Sequence, residues 1–420
     1  MEEEVVDSRG PRWPRLMRLG ALMVAGVVVG AVIGVMAGPR SGSLAGRDST
    51  APHRVTLSSQ PGASSSPFKI RPWPTARGAC GTEVPLPILS STPVAGRTGI
   101  HVLIGGDRLR VVDFDSGRAS PLPGAQLRSG EYVFGLGATS PTYAVTGPGC
   151  QGRGASRVLR IEPGGHTTMV VSLGRAEWLL TEGEHAWITR SPTGTQHPDG
   201  SITPLGRGAG VRLPPWVYPF NVASDGVVVA QRQDGQACPC SLVLVDLATG
   251  HIQTNLSARA TLVAAGAGLL VWSQGCHVTS DKGCVLHTRT LATGATRTYQ
   301  LPRPLIGGIV SPDGRRLALL LERASQDPLF ASADPIPPSD IAILHLATGR
   351  LDIAPGIEVP PQTSPTMTFT PDGHWLAIAF NAGPAVRLLA WHPGLAHPYE
   401  SAQVVAAEPG WAGPPIIAMP

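Results

Sequence analysis

Two stretches set a hydrophobic rhythm that much of the chain repeats. SPDGRRLALLL (Ser311–Leu321) and TPDGHWLAIAF (Thr370–Phe380) each place a Pro-Asp-Gly corner before an apolar run. Similar runs follow turn residues in ASDGVVVAQ (Ala223–Gln231) and GAGLLVWS (Gly266–Ser273). Further along each unit comes a second apolar segment that ends in a tight turn. Its plainest copies are VDLATGHIQTNL (Val245–Leu256), RTLATGATRTYQL (Arg289–Leu301) and LHLATGRLDIAPG (Leu344–Gly356), which share Gly250, Gly294 and Gly349. Weaker copies begin at Val112, Arg160, Gln196 and Ala390 and supply Gly117, Gly165, Gly200 and Gly394. The turn glycines recur at a mean interval of about 46 residues, which marks a repeat architecture.

Each unit reads as turn, apolar strand, loop, alternating strand, tight turn and last strand: a four-stranded up-and-down sheet. β-branched residues are frequent, and no amphipathic helix of ordinary length follows residue 38. One such sheet leaves both faces uncovered, so the copies must pack radially around a channel. The expected fold is all-β, a single β-propeller of four-stranded blades. Seven blades fit the spacing best, with six or eight allowed by the degenerate first three repeats.

SPDGRRLALLL and TPDGHWLAIAF, followed by AILHLATGR and RLLAWHPG, resemble the WD40-like propeller repeats of TolB-type proteins. The resemblance covers two repeats well and two more passably, and the rest by period. It implies a bacterial chain, and the composition is actinobacterial-like. It specifies an architecture rather than an activity. The small domain that precedes the propeller in TolB-type proteins has no counterpart here.

The Asp residues of the two corners could be catalytic acids, but turn chemistry accounts for them. In SPDG, Pro312 presets φ at the second position of a type I turn, Asp313 is third, and Gly314 accepts positive φ. Pro371, Asp372 and Gly373 do the same at the second corner. No partner acid, base or metal ligand accompanies either Asp in repeat phase.

An up-and-down blade with strands a to d puts its a–b and c–d turns on one face and its b–c and d–a connections on the other. The short PDG and ATG turns occupy the first face. The long segments Thr146–Ser156, Ser191–His197, Arg232–Cys240, Ser273–Cys284 and Glu322–Ser339 occupy the second. Long loops on a rigid scaffold are where binding usually resides. The b–c face is therefore the expected binding surface, with Asp327, Phe330 and Asp334 in its most prominent loop.

All six cysteines fall on that face, in keeping with disulfides in an oxidising compartment. Cys276 and Cys284 are placed to clamp one hairpin, and Cys80 and Cys150 to staple the chain's entry. Cys238 and Cys240 sit too close for an easy bridge and could cross to the next blade. The spacings fit a zinc site badly, and no metal or cofactor is expected.

Composition alters the picture mainly at the N-terminus. Charged residues are only 15%, and Gly (51) and Pro (42) are abundant. The net charge of +4 comes from Arg, a bias typical of GC-rich genomes, and no basic patch with interleaved aromatics suggests nucleic acid. Residues 1–18 are expected to form a short cytoplasmic tail. Residues 19–38, LGALMVAGVVVGAVIGVMAG, carry no charge and as a helix would cross a hydrocarbon core of roughly 30 Å.

A cleaved signal peptide is the rival, but the apolar run is long for one and its cleavage site poor. Arg9, Arg12, Arg15 and Arg18 outweigh the sparser Arg40, Arg47 and Arg54, so the N-terminus is expected in the cytoplasm and the propeller outside, on a single-pass anchor. Gly26, Gly30 and Gly34 form a small-residue stripe that could support a homodimer. Residues 39–79, rich in Ser, Gly and Pro, are expected to be a disordered tether. The propeller is expected over 80–407, with 408–420 a C-terminal tail in which Trp411 packs beneath the ring.

G-x-S-x-G, H-E-x-x-H, a P-loop and a dinucleotide fingerprint are all absent from the sequence. Of the expected inner strands, only two begin with a carboxylate, Glu131 and Glu177. Two function classes follow. One is a non-catalytic, membrane-tethered scaffold that binds a protein, peptide or cell-envelope component. The other is a hydrolase or lyase acting on a small molecule at the channel mouth.

Overall fold

The computed structural model describes residues 53–57, the pairs 71–72, 76–77, 83–84 and 87–88, and most of 98–419. Within 98–419 the longest stretches outside the described residues are 149–154, 194–198, 234–240, 277–283, 324–337 and 407–413. The apolar segment 19–38, with Gly26, Gly30 and Gly34, lies outside them, as do Cys80, Cys150, Cys238, Cys240 and Trp411. Among the described residues no helix is long and apolar enough to cross a membrane.

The chain forms a seven-bladed β-propeller. Blade 2 comprises Glu131–Gly137, Thr142–Pro148, Ser156–Ile161 and Thr167–Leu173 as strands a to d. Blade 3 is Glu177–Glu182, His185–Arg190, Asp199–Pro204 and Val211–Pro215, and blade 4 is Val217–Ser224, Val227–Arg232, Ser241–Asp246 and Ile252–Ser257. Blade 5 is Ala260–Gly266, Leu269–Gln274, Cys284–Thr290 and Thr296–Leu301. Blade 6 is Leu305–Val310, Arg316–Glu322, Ser339–His345 and Arg350–Val359. Blade 7 is Thr366–Phe369, Leu376–Ala382, Ala385–Trp391 and an outer edge split into Tyr399–Glu400 and Val405–Ala406.

Blade 1 closes the ring and corrects the expected boundaries. Its strands b to d are His101–Ile104, Arg110–Asp113 and Arg118–Pro121, while its inner strand is Ile416–Met419 from the C-terminus. The register runs from Ile416 opposite Ile104 to Met419 opposite His101, and the Gly105 N–H donates to the Pro415 carbonyl at 2.8 Å. The segment read as a tail is thus part of the propeller. A strand of four residues with no turn beside it has no local signature. Hydrogen bonding between the two ends of the chain is what turns seven sheets into a ring.

The blades explain why runs such as RLALLLE do not alternate with polar residues. A middle strand such as Arg316–Glu322 is covered on both faces by neighbouring blades, so successive side chains enter different cores. Leu317, Leu319 and Leu321 join the cluster between blades 5 and 6. Ala318 and Leu320 join the cluster between blades 6 and 7. One apolar cluster fills each of the seven interfaces, and the last, between blades 7 and 1, includes Ile416.

The corners follow their turn chemistry. Ser311 Oγ donates to Asp313 Oδ1 at 2.6 Å, the Arg315 N–H donates to the same oxygen at 3.1 Å, and Gly314 has φ 65°. Thr370, Asp372 and His374 repeat the pattern at 2.5 and 2.9 Å. Burial pushes both carboxyls up, but these hydrogen bonds outweigh it and hold them below the usual carboxylate range. Both aspartates are spent within their own turns.

The ATG glycines Gly250, Gly294 and Gly349 all have positive φ, yet their surroundings differ. A Cβ on Gly250 would lie 2.3 Å from the Arg212 carbonyl of blade 3, whereas Gly294 meets only the far end of Arg289 at 3.8 Å. Gly294→Ala is expected to cost about 1–2 kcal/mol from backbone strain alone. Gly250→Ala adds overpacking of roughly 1–3 kcal/mol. Urea unfolding of the two variants checks this, and equal losses would contradict it.

Two expectations fail here. Gly200 is not a turn glycine: it lies inside the strand Asp199–Pro204, and the chain bends only after it, at 205–206. Its glycine answers to close approach, since a Cβ there would meet the Arg190 and Val217 carbonyls at 2.8 and 3.1 Å. The PDG of blade 3 therefore ends a b–c connection rather than forming a corner. The expected tether is also partly ordered. His53–Arg54 and Thr56–Leu57 add to the outer edges of blades 5 and 6, and Arg71–Pro72 and Ala76–Arg77 pair with Pro87–Ile88 and Glu83–Val84. Alternation in HRVTL spans too few residues to stand out from a polar background.

Candidate functional site on the b–c face

Strand ends put the b–c connections of blades 2 to 6 on one face, at 149–155, 191–198, 233–240, 275–283 and 323–338. Blade 7 crosses the same face in only two residues, 383–384. The loop-rich part of the face is therefore an arc over blades 2 to 6. Asp327, Phe330 and Asp334 belong to its longest connection and lie outside the described residues.

The base of that connection is described in full. Glu322 pairs with Ser339 at the last ladder position, and the Arg323 N–H donates to the Pro338 carbonyl at 2.8 Å. Asp340 accepts from Arg303 at 2.7 Å and pairs with Arg323 at 3.0 Å, while Arg323 reaches Glu358 at 2.6 Å. Two guanidiniums thus hold one buried carboxylate, and Arg323 and Glu358 present exposed charge at the loop's root. Burial would lower the Arg323 pKa, but Asp340 and Glu358 raise it.

Sequence reasoning missed this cluster. Its signal was a charged residue at each end of the loop, Arg323 and Asp340, immediately beside apolar strands.

Glu322 behaves differently. Its side chain follows Leu320 towards blade 7, away from Asp340 and its arginines. It is only 8% exposed, and its Oε2 has no hydrogen-bond partner among the described residues. Burial raises its pKa to about 7. A folded-state pKa above the unfolded value means that the native protein keeps a proton the unfolded chain releases. Stability from this group is complete below about pH 4.5 and is lost as pH rises through 7, by about 3 kcal/mol. Glu322→Gln should abolish that decline and be more stable than wild type at pH 8. Urea titrations at pH 5 and pH 8 test this, and parallel pH profiles for the two proteins would refute it.

The disulfide Cys276–Cys284 ties the start of the blade 5 connection to strand c, with Cα atoms 4.8 Å apart. Cys284 is buried in the cluster between blades 5 and 6. The bridge closes the hairpin that the sequence assigned to this pair.

At the channel mouth, Glu131 and Glu177 are the first residues of their inner strands. Glu131 is not a free acid. Its carboxylate is paired with the Arg157 guanidinium and accepts from Thr146 Oγ1 at 2.7 Å and the Arg128 N–H at 2.9 Å. Burial pushes its pKa up, but the Arg157, Thr146 and Arg128 hydrogen bonds outweigh it and keep the carboxyl low. Glu177 caps the turn before its own strand, accepting from the Gly174 N–H at 2.6 Å. Among the described residues no group of three His, Cys, Asp or Glu side chains is placed to hold a metal.

Fold and face together define a seven-bladed propeller with one tight-turned face and one loop-rich face. No family profile matches the chain, and no curated protein matches it in sequence. Solved structures with similar folds include TolB from Acinetobacter baumannii, at 10% identity and TM-score 0.41, covering 77% of this chain and 67% of that one. An oligogalacturonate lyase in complex with manganese matches at 10% identity and TM-score 0.45, covering 83% and 99%. Hydrazine synthase from Kuenenia stuttgartiensis matches at 14% identity and TM-score 0.42, covering 64% and 80%. These likenesses span enzymes and a TolB, and they carry no argument about activity.

Proposed function

We propose that the protein is a non-catalytic, membrane-tethered scaffold, displayed outside the cytoplasm, that binds a protein, peptide or cell-envelope component on its b–c face. The asymmetry of the two faces carries this reading. One face has hydrogen-bonded corners whose aspartates are used up within the turn. The other has five extended connections, the longest rooted in the Arg303–Asp340–Arg323–Glu358 cluster. The commitment of Glu131 to Arg157 weighs against the alternative, a hydrolase or lyase at the channel mouth.

The test is a pull-down from native membranes with the full chain, comparing wild type with a variant whose residues 324–337 are replaced by a short Gly-Ser turn. Loss of a species captured by wild type is expected. An unchanged set of captured species would contradict the role of this face.

A further inference from the structure

We propose that the outer rim where blades 5 and 6 meet is a strand-addition site for an extended peptide, and that residues 53–57 of this chain are its occupant. The segment bridges two sheets. His53 and Arg54 pair in parallel with Tyr299 and Gln300 on the edge of blade 5. Thr56 and Leu57 pair in parallel with Arg350 and Leu351 on the edge of blade 6. Between the two ladders Val55 is half-buried and packs against the inter-blade cluster that contains Tyr299, Leu346 and Leu351.

The chemistry of the rim explains this seat. The outer strand of a propeller blade exposes a row of unpaired N–H and C=O groups, a template for another strand. Added strands draw affinity from the backbone and specificity from side-chain pockets. Here the pocket is the crevice between two blades. Tyr299 Oη and Arg297 both donate to the Leu346 carbonyl, at 2.7 and 3.1 Å, and so join blade 5 to blade 6 beside it. The fitting peptide is extended, with an aliphatic β-branched residue at its centre.

Blade 3, by contrast, ends its outer strand in Pro214 and Pro215, which lack the N–H groups a ladder needs. The site lies on the rim, apart from the b–c face, and does not depend on the scaffold reading. One consequence does rest on that reading: with 19–38 as the anchor, residues 39–52 span at most about 50 Å, which keeps this rim close to the bilayer.

The test uses the full chain in detergent micelles, a Val55→Asp variant and a labelled peptide of residues 51–59. A tethered strap competes at an effective concentration on the order of millimolar. The variant should therefore bind the peptide at least about tenfold more tightly than wild type. A peptide carrying the same Val55→Asp change should not bind. Trypsin should cut after Arg54 faster in the variant than in wild type, with both proteins melting cooperatively.

Equal peptide binding by the two proteins, or equal cleavage after Arg54, would overturn the proposal. A variant that fails to fold leaves the wild type to decide. Resistance at Arg54 relative to heat-unfolded chain supports the docked strap, and equal cutting refutes it. A wild-type dimer that dissociates on Val55→Asp would assign the occupant to a second copy and overturn the intramolecular assignment.

Discussion

Truncation of the chain before Pro414 is expected to abolish the cooperative unfolding transition. The segment removed supplies the inner strand of blade 1, and its side chains serve two interfaces. Ile416 is buried in the cluster between blades 7 and 1, and Ile417 in the cluster between blades 1 and 2. Losing two buried isoleucines costs roughly 4–10 kcal/mol, before the loss of the ladder to His101–Ile104 is counted. A whole domain is stable by only about 5–15 kcal/mol. The expected product retains sheet but melts without a sharp transition, and calorimetry of the truncated chain checks this. Removing residues 1–52 should leave the transition sharp, because the ring closes without them.

Replacing Arg157 with methionine should cost about 3–5 kcal/mol, because it strands the buried Glu131 carboxylate without its guanidinium partner. The loss should be greatest at neutral pH. The wild-type carboxyl has a depressed pKa, so its stabilisation is present above about pH 4.5 and fades as pH falls through the folded value. Glu131→Leu together with Arg157→Met should recover most of the loss, since an apolar pair of similar volume replaces a buried ion pair at little net cost. The measurement is a double-mutant cycle by urea unfolding at pH 7. A double variant as unstable as Arg157→Met would show that Glu131 does not act through this pair.

These two cases also mark the limit of what the sequence conveys. The corners at Ser311 and Thr370 were legible because turn residues and the following apolar run are neighbours in the chain. The same local logic located the b–c connections and the Cys276–Cys284 hairpin. The ring closure was not legible, because Ile416–Met419 meets His101–Ile104 across the whole propeller and no turn marks the pairing.

Gly200 misled for a related reason: a Pro-Asp-Gly reads the same at a corner and at the end of a loop. Glu131 was found by its position at the start of an inner strand. Its partner Arg157 lies two strands away, so its structural role emerged only with the register. Val55 was hidden in a Ser- and Pro-rich stretch, where one apolar side chain packed between two blades leaves no period to read.

The central claim, that recognition occurs on the b–c face, is tested most directly by photo-crosslinking in native membranes from single positions on the two faces. Thr193 and Arg323 lie on the loop-rich face, and Arg315 and His374 on the tight-turned face; all four are exposed. The account predicts adducts from Thr193 or Arg323 and none from Arg315 or His374. Adducts from Arg315 or His374 alone would place recognition on the opposite face and contradict it.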